Sequence, residues 1–186
     1  MSISRSILIG VATTALFAAA AARPAAAQQQ ADETAQHVAR AQLVDAEGNV
    51  VATATLRETA GHGVLIRLEA ERLPAGEHAF HIHQTGRCEP PGFESAGGHY
   101  APRGRQHGFL VPAGPHAGDL PNIHVPADGR LVIEVVAPDV TLRPGAPNTL
   151  FDEDGSALVI HAGRDDYTSQ PAGDAGGRIA CGVIRR

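Results

Sequence analysis

The stretch VLIRLEAERLPAGEHAFHIH, residues 64–83, decides the fold of this chain. Residues 64–70 begin with large apolar side chains and then alternate apolar with charged ones, which is typical of a strand with one buried face. Pro74-Ala75-Gly76 supplies a turn, and the run from Glu77 to His83 predicts a second strand. We therefore expect antiparallel strands joined by hairpins.

The same pattern of short runs and turn residues continues on both sides of this stretch. Two long segments, residues 84–119 and 162–177, lack periodic apolar content, and loops of such length in a compact domain usually carry function. With no convincing helix, the chain is predicted to be all-β, an eight-stranded Greek-key β-barrel or sandwich with two long functional loops. The other strand-like runs are residues 38–44, 50–57, 123–125, 131–137, 140–142, 157–161 and 178–184. Together with the two runs above they are nine, and we expect about eight strands from them.

The composition of the 186 residues narrows the class of protein. The 21 glycines and 13 prolines favour many turns and argue against a helix bundle. The formal net charge is −5, whereas a nucleic-acid-binding domain is expected to be basic. Nucleic-acid binding is therefore disfavoured, and the unusual content of ten histidines and two cysteines indicates metal.

The first 27 residues have the pattern of a secretory signal peptide. A positive charge at Arg5 is followed by the uncharged run Ser6–Ala22 and by small residues suited to cleavage after Ala27. A retained membrane anchor is the alternative, but this run is shorter than the roughly 20 residues needed to span a bilayer. We expect a periplasmic or secreted protein with no stable membrane association after cleavage. The expected divisions are a signal peptide at residues 1–27, a flexible segment at 28–36 and one domain at 37–186.

Cys88 and Cys181 are the two cysteines of a chain that we expect to reach an oxidising compartment. A disulfide between them would close a loop of more than 90 residues, and in the chain-entropy picture it would stabilise the fold by about 4–5 kcal/mol. Two buried free thiols are the alternative. A redox-active pair is disfavoured, because such pairs favour the CxxC spacing.

His81 and His83 lie two residues apart on a predicted strand and therefore share one face. Both imidazoles can reach one metal ion, while Phe80 and Ile82 point the other way into a core. His78 has the parity of Phe80, so we interpret it as a structural histidine. Taken alone, the His-x-His pattern is also compatible with an ordinary polar strand face.

The long loop after this strand carries four further candidate ligands: His99, His107, His116 and Asp119. Three imidazoles and one carboxylate form a closed donor set suited to tetrahedral Zn²⁺. His161 ends a predicted strand, and beside His81 and His83 it would build an imidazole-rich site suited to Cu²⁺. A surface histidine tract that sequesters metal is the alternative, but such tracts are dense and repetitive, whereas these histidines are scattered among distinct turns and strands.

Four segments of the sequence resemble the signature segments of the copper/zinc superoxide dismutase family. They are His81-Ile82-His83, Gly97-Gly98-His99-Tyr100, Pro115-His116-Ala117-Gly118-Asp119-Leu120-Pro121-Asn122-Ile123 and Gly176-Gly177-Arg178-Ile179-Ala180-Cys181-Gly182-Val183-Ile184. The segments follow in family order with family-like spacing, and the similarity spans residues 37–186. It implies an eight-stranded Greek-key barrel whose two long loops are the metal-binding loop and the electrostatic loop.

The resemblance also implies a set of ligands, with one copper and one zinc ion per subunit. Copper would be bound by His81, His83, His99 and His161, and zinc by His99, His107, His116 and Asp119. His99 would bridge the two metals, a role that requires histidine because only its ring offers two opposed nitrogen atoms.

Two further residues receive roles from the same resemblance. Asp165 would accept hydrogen bonds from His81 and His107 and so fix their tautomers. Arg178 would guide the anionic substrate to copper and act with His99 in catalysis. The Cys88–Cys181 disulfide would hold Arg178 in place.

The activity that the resemblance implies is the conversion of superoxide to oxygen and hydrogen peroxide by an exported antioxidant enzyme, with copper alternating between Cu(II) and Cu(I). The alternative is a noncatalytic copper-binding or carrier protein on the same fold, which would be expected to lack part of this residue set. Relatives dimerise through different faces, so a homodimer is possible but no dimer face is predicted.

Overall fold

A computed structural model describes residues 37–186. The predicted signal peptide and the flexible segment at 28–36 lie outside the described residues. The strands are β1 (Val38–Val44), β2 (Val50–Glu58), β3 (Val64–Ala70), β4 (Gly76–His78), β5 (Phe80–His83), β6 (Ile123–Val125), β7 (Leu131–Ala137), β8 (Ala157–His161) and β9 (Arg178–Val183). One 3-10 helix spans Glu94–Ala96, and in this part of the chain no helix is long and apolar enough to cross a bilayer.

The strands form one curved antiparallel sheet and one short pair. The seven-stranded sheet has the order β5-β8-β9-β1-β2-β3-β7, and β4 pairs with β6. Only Ala79 separates β4 from β5, so these two strands are one interrupted strand and the total is eight. This order confirms the predicted all-β Greek-key barrel.

Alternating side chains direct one face of the sheet into the core. One row crosses four strands, from Ala41 through Ala54 and Leu68 to Ile133. The first three are buried, and Ile133 packs against the same cluster. Because residues two apart share a face, the neighbouring rows are also apolar, and their burial favours the folded state by roughly 25 cal/mol per Å².

The prediction of a strand at residues 140–142 is wrong. In the structure Thr141 forms only an isolated parallel bridge with Thr149. The carboxylate of Glu58, itself buried, accepts hydrogen bonds from Thr141 Oγ1 at 2.8 Å and from the main-chain N–H of Leu142 at 2.7 Å. A side chain thus satisfies main-chain polarity that a strand neighbour would otherwise satisfy.

The long loop at residues 84–119 covers the free edge of β5. Ile82 donates its N–H to Gly118 O at 2.8 Å, and its carbonyl oxygen accepts from Tyr100 N at 2.9 Å. Gly118 comes so close that a Cβ atom there would collide with the carbonyl oxygen of Ile82. The loop is therefore attached to the strand that carries His81 and His83.

Candidate metal centre

The strand β5 directs two histidines towards the long loop and two large apolar side chains into the core. Phe80 and Ile82 are fully buried in the main hydrophobic cluster, as the strand parity predicts. His81 and His83 project from the opposite side and are also buried. His161 ends β8, the antiparallel neighbour of β5, and its N–H donates to Ala79 O at 2.9 Å. Three histidines are thus placed by paired strands.

Two main-chain bridges bring loop residues to the same place. His83 pairs with His99, and His81 pairs with Asp119, both in antiparallel bridges. These loop residues, which are candidate ligands, are therefore positioned by the same hydrogen-bonding rules that position a strand. This explains how residues 16 and more positions apart in the chain meet at one centre.

The first cluster contains only histidines: His81, His83, His99 and His161. One nitrogen of each ring lies within 4.8 Å of the corresponding atom of every other member. The second nitrogen of each ring faces a protein oxygen. The distances from these second nitrogens to their oxygen partners are 2.9 Å for His81 Nε2 to Asp165, 2.9 Å for His83 Nδ1 to Gly97 O, 2.8 Å for His99 Nδ1 to Asp119 and 3.2 Å for His161 Nδ1 to Gly176 O.

The second cluster is His99, His107, His116 and Asp119, again with one atom from each within 4.8 Å of the others. Its centre is one oxygen atom, Asp119 Oδ1, which lies 2.8, 3.1 and 3.2 Å from the Nδ1 atoms of His99, His107 and His116. The other oxygen, Oδ2, accepts hydrogen bonds from the N–H groups of Gly108 and His116 at 2.9 and 3.0 Å. The carboxylate is therefore fixed by the loop and offers one oxygen to three imidazoles.

His99 belongs to both clusters, and its two ring nitrogens point to different ones. Nδ1 faces Asp119, whereas Nε2 is buried and has no hydrogen-bond partner among the described residues. His81 Nδ1 is likewise buried and has no hydrogen-bond partner among the described residues. Because an unsatisfied buried polar atom costs about 1–3 kcal/mol, the donor set fits metal ions, which would bind these nitrogens.

Burial keeps three imidazoles of the first cluster, those of His83, His99 and His161, neutral. Desolvation lowers the pKa of His83 to about 2, of His161 to about 3 and of His99 to about 4. Neighbouring imidazoles add to the lowering, and Arg178 adds to it at His83 and His161. Because metal binding needs a free nitrogen lone pair, neutral rings are ready to bind at neutral pH.

The pKa of His107 moves in the opposite direction, because the carboxylates of Asp119 and Asp165 raise it. Burial alone would lower its pKa, but hydrogen bonds to Asp119 and Asp165 outweigh burial and raise it to about 9. Burial would raise the pKa of each carboxyl group, but its hydrogen bonds to histidines hold it well below the usual range. Both acids are therefore ionised and offer negative charge to the centre.

Asp165 links the two clusters, because its carboxylate contacts one histidine of each. Its Oδ2 lies 2.9 Å from His81 Nε2 and its Oδ1 lies 3.0 Å from His107 Nε2. Asn122 fixes this acid, because its amide accepts from Asp165 N at 2.8 Å and donates to Asp165 O at 2.9 Å. Sequence analysis did not identify Asn122, although it lies inside one of the quoted segments; nothing in its position signals a contact across two loops.

Arg178 lies beside the first cluster and is held by main-chain carbonyl oxygens. Its guanidinium donates to Gly97 O at 2.7 Å and to Phe93 O. The oxygen of Gly97 also lies 2.9 Å from His83 Nδ1, so one carbonyl fixes both side chains. The predicted disulfide is confirmed: Cys88 and Cys181 are bonded, with their Cα atoms 5.6 Å apart.

The remaining histidines lie outside the two clusters. His78 is buried, and its ring nitrogens face the carbonyl oxygens of His161 and Pro74 at 2.8 and 2.9 Å, which fits the structural role expected from its parity. His62 and His124 are exposed, and His37 is half-buried at the start of β1. The centre therefore uses six of the histidines.

The fold and the centre together define a class: an all-β metalloprotein in which an all-imidazole site shares one histidine with a mixed nitrogen–oxygen site. A family model described as copper/zinc superoxide dismutase (SODC) matches residues 48–184. A relative from Aquifex aeolicus (strain VF5), named superoxide dismutase (Cu-Zn) 2, is 56% identical over 148 residues, which cover 79% of this chain and 86% of the relative.

Solved structures agree with these sequence matches. A crystal structure of a SOD-like protein from Bacillus subtilis aligns with a TM-score of 0.75 at 43% identity, covering 77% of this chain and 96% of that one. The Cu/Zn superoxide dismutase from Brucella abortus aligns with a TM-score of 0.61 at 34% identity, covering 78% and 98%. The chain belongs to the copper/zinc superoxide dismutase family.

Proposed function

We propose that this protein converts superoxide to oxygen and hydrogen peroxide at a copper/zinc centre. The observation that carries the proposal is the ring of His99, whose two nitrogens face two adjacent donor sets. The family model and the named relatives support the same reaction.

The residues that would hold the two metals follow from their donor atoms. His81, His83, His99 and His161 offer four nitrogens suited to copper, whereas three nitrogens and a carboxylate oxygen of His99, His107, His116 and Asp119 suit zinc. When bound, copper would supply one-electron exchange with superoxide, and zinc would supply fixed positive charge. Asp165 orients His81 and His107 by hydrogen bonds to their outer nitrogens.

Arg178 binds and orients the anionic substrate in this proposal. Two main-chain carbonyls hold its guanidinium beside His83, so its charge is fixed rather than diffuse. A fixed local charge can attract an anion even when the molecule as a whole is negative. His99 Nε2, buried and without a protein partner, is the atom at which we expect a proton to be held and passed to the product.

Export to the periplasm or beyond belongs to the proposal as well. The predicted signal peptide at residues 1–27 supports it, and so does the disulfide, because disulfides persist in oxidising compartments. Amino-terminal sequencing of the protein from a periplasmic fraction should begin at Gln28. A possible homodimer stays a prediction for sedimentation analysis.

The activity is tested by superoxide loss in protein loaded with copper and zinc. His161→Ala removes one nitrogen of the all-imidazole cluster and should abolish most of the activity and lower the bound copper. His124→Ala is the matched control, because His124 is exposed and outside both clusters. Equal rates for His161→Ala and the parent would overturn the copper assignment, and a copper-loaded parent without dismutation would support a noncatalytic copper carrier instead.

A further inference from the structure

The main chain of His107 depends on one side chain of the other long loop. The N–H of His107 donates to Gln170 Oε1 at 3.0 Å, and its carbonyl oxygen accepts from Gln170 Nε2 at 2.8 Å. Among residues 37–186 these are the hydrogen bonds that the structure gives to either main-chain group of His107. Gln170 thus replaces the strand neighbour that residue 107 lacks.

The turn that carries Gln170 is ordered by its own hydrogen bonds. Asp166 accepts from Thr168 N and Ser169 N at 2.8 Å each and from Ser169 Oγ. Gly173 closes the turn, donating to Ser169 O at 2.7 Å and accepting from Asp166 N at 2.9 Å. Gln170 Nε2 also donates to Thr168 O at 3.1 Å. The amide is therefore presented to His107 from a preformed turn.

The same turn lies directly against the ring of His107 and the carboxylate of Asp165 that contacts this ring. Gly173 has a positive φ of 69°, and a Cβ atom there would collide with the carboxylate of Asp165 and with the ring of His107. The ring of His107, through Asp165, and its main chain, through Gln170, are thus both held from one side by residues 165–173.

We propose that Gln170 is a positioning residue that controls how long zinc is retained. The inference rests on the proposed function, because it takes His107 as a zinc ligand. Of the six histidines in the two clusters, His107 and His116 lie in loop segments without main-chain bridges to β5, whereas His81, His83 and His161 lie on paired strands and His99 is bridged to His83. Loss of the amide therefore loosens the zinc set and leaves the histidines of the copper set in place.

The test compares metal release from the copper- and zinc-loaded protein. Gln170→Ala should release zinc to a chromogenic chelator about thirtyfold faster than the parent, the effect of losing two ordinary hydrogen bonds. Copper release should not change. Gln106→Ala is the matched control, because Gln106 precedes His107 in the chain but its exposed amide makes no contact that the structure shows.

Gln170→Glu tests whether the amide of Gln170 acts through its hydrogen bonds to His107 or only through its size. Glutamate keeps the length and one acceptor oxygen, but it replaces the amide donor with an anionic oxygen facing the His107 carbonyl. We expect it to release zinc at least as fast as Gln170→Ala, and the Co(II)-substituted zinc set should show shifted d–d absorption bands in both variants but not in Gln106→Ala. Because Gln170 is exposed, both variants should fold, and the Glu variant alone suffices if the Ala variant does not.

Three outcomes overturn the inference: zinc release at the parental rate in both variants, equal acceleration of copper and zinc release, or a Glu variant that retains zinc as the parent does. A parent protein that binds no zinc at all would overturn the proposed function itself. A parent that binds zinc, with variants that hold it equally long, would overturn the role of Gln170 alone.

Discussion

At the scale of single residues, main-chain groups place the side chains of the centre. One carbonyl oxygen, that of Gly97, contacts both His83 and Arg178. Arginine is suited to this position because its planar guanidinium presents several donors at once and stays charged. Under the proposed function, a substrate anion that approaches His83 would meet a cation whose position is set by the loop.

Arg178→Ala should leave the metal content unchanged and slow the reaction with superoxide about tenfold at low ionic strength, because it removes the fixed charge that attracts the anion. The rate of the variant should also depend less on salt. Stopped-flow measurements of superoxide decay across a salt series check both effects. Arg130→Ala, which removes an equal charge from the turn before β7, is the control; a variant at residue 178 that reacts as fast as this control would contradict the guiding role.

Sequence reasoning could place His81 and His83 together because strand parity is a local rule. It could not identify Gln170 or Asn122, because each acts on the main chain of a residue more than 40 positions away. Neither position has a periodicity or a residue type that differs from an ordinary loop. Their function exists only after the two loops meet.

At the scale of elements, the barrel depends on connections that are not strands. Apolar alternation predicted β1 to β3 correctly, since each is a half-buried strand between clear turns. Residues 140–142 have the same local appearance, but their polar partner is Glu58 on β2, 83 positions earlier in the chain for Thr141. A local pattern cannot reveal whether the partner of a short apolar run is a strand or a side chain.

Glu58→Ala should lower the free energy of unfolding by about 2–3 kcal/mol, because it leaves the buried N–H of Leu142 without an acceptor and breaks the bond from Thr141. Thermal unfolding should shift down by about 5–10 °C. Glu69→Ala removes an exposed carboxylate whose ion-pair partner within residues 37–186 is Arg67, and it should cost less than about 1 kcal/mol. Equal effects of the two substitutions would contradict the role of Glu58.

At the scale of the whole molecule, the centre makes stability depend on pH when no metal is bound. In the folded protein the pKa values of His83, His99 and His161 lie at about 2, 4 and 3, so below pH 6.5 the unfolded chain binds protons that the folded chain does not. Stability should therefore fall as pH decreases from 6.5 to 4, by at most about 1.4 kcal/mol per pH unit for each ring.

His107 contributes in the opposite direction. Its pKa is raised to about 9, so its stabilising effect is complete below pH 6.5 and is lost as pH rises from 6.5 through 9. The chelator-treated protein should therefore be most stable near pH 6.5–7, measured by urea unfolding across a pH series. Stability that stays constant or increases between pH 6.5 and 4 would contradict the neutral, buried state of the three imidazoles.

The central claim about the whole molecule is that loops and strands distant in the chain build two adjacent metal sites around the ring of His99. Anomalous diffraction at the copper and zinc absorption edges, from crystals of protein loaded with both metals, tests it most directly. We expect one copper peak among His81, His83, His99 and His161 and one zinc peak among His99, His107, His116 and Asp119, on opposite sides of the His99 ring. A single peak, or two peaks of which only one adjoins His99, would contradict it.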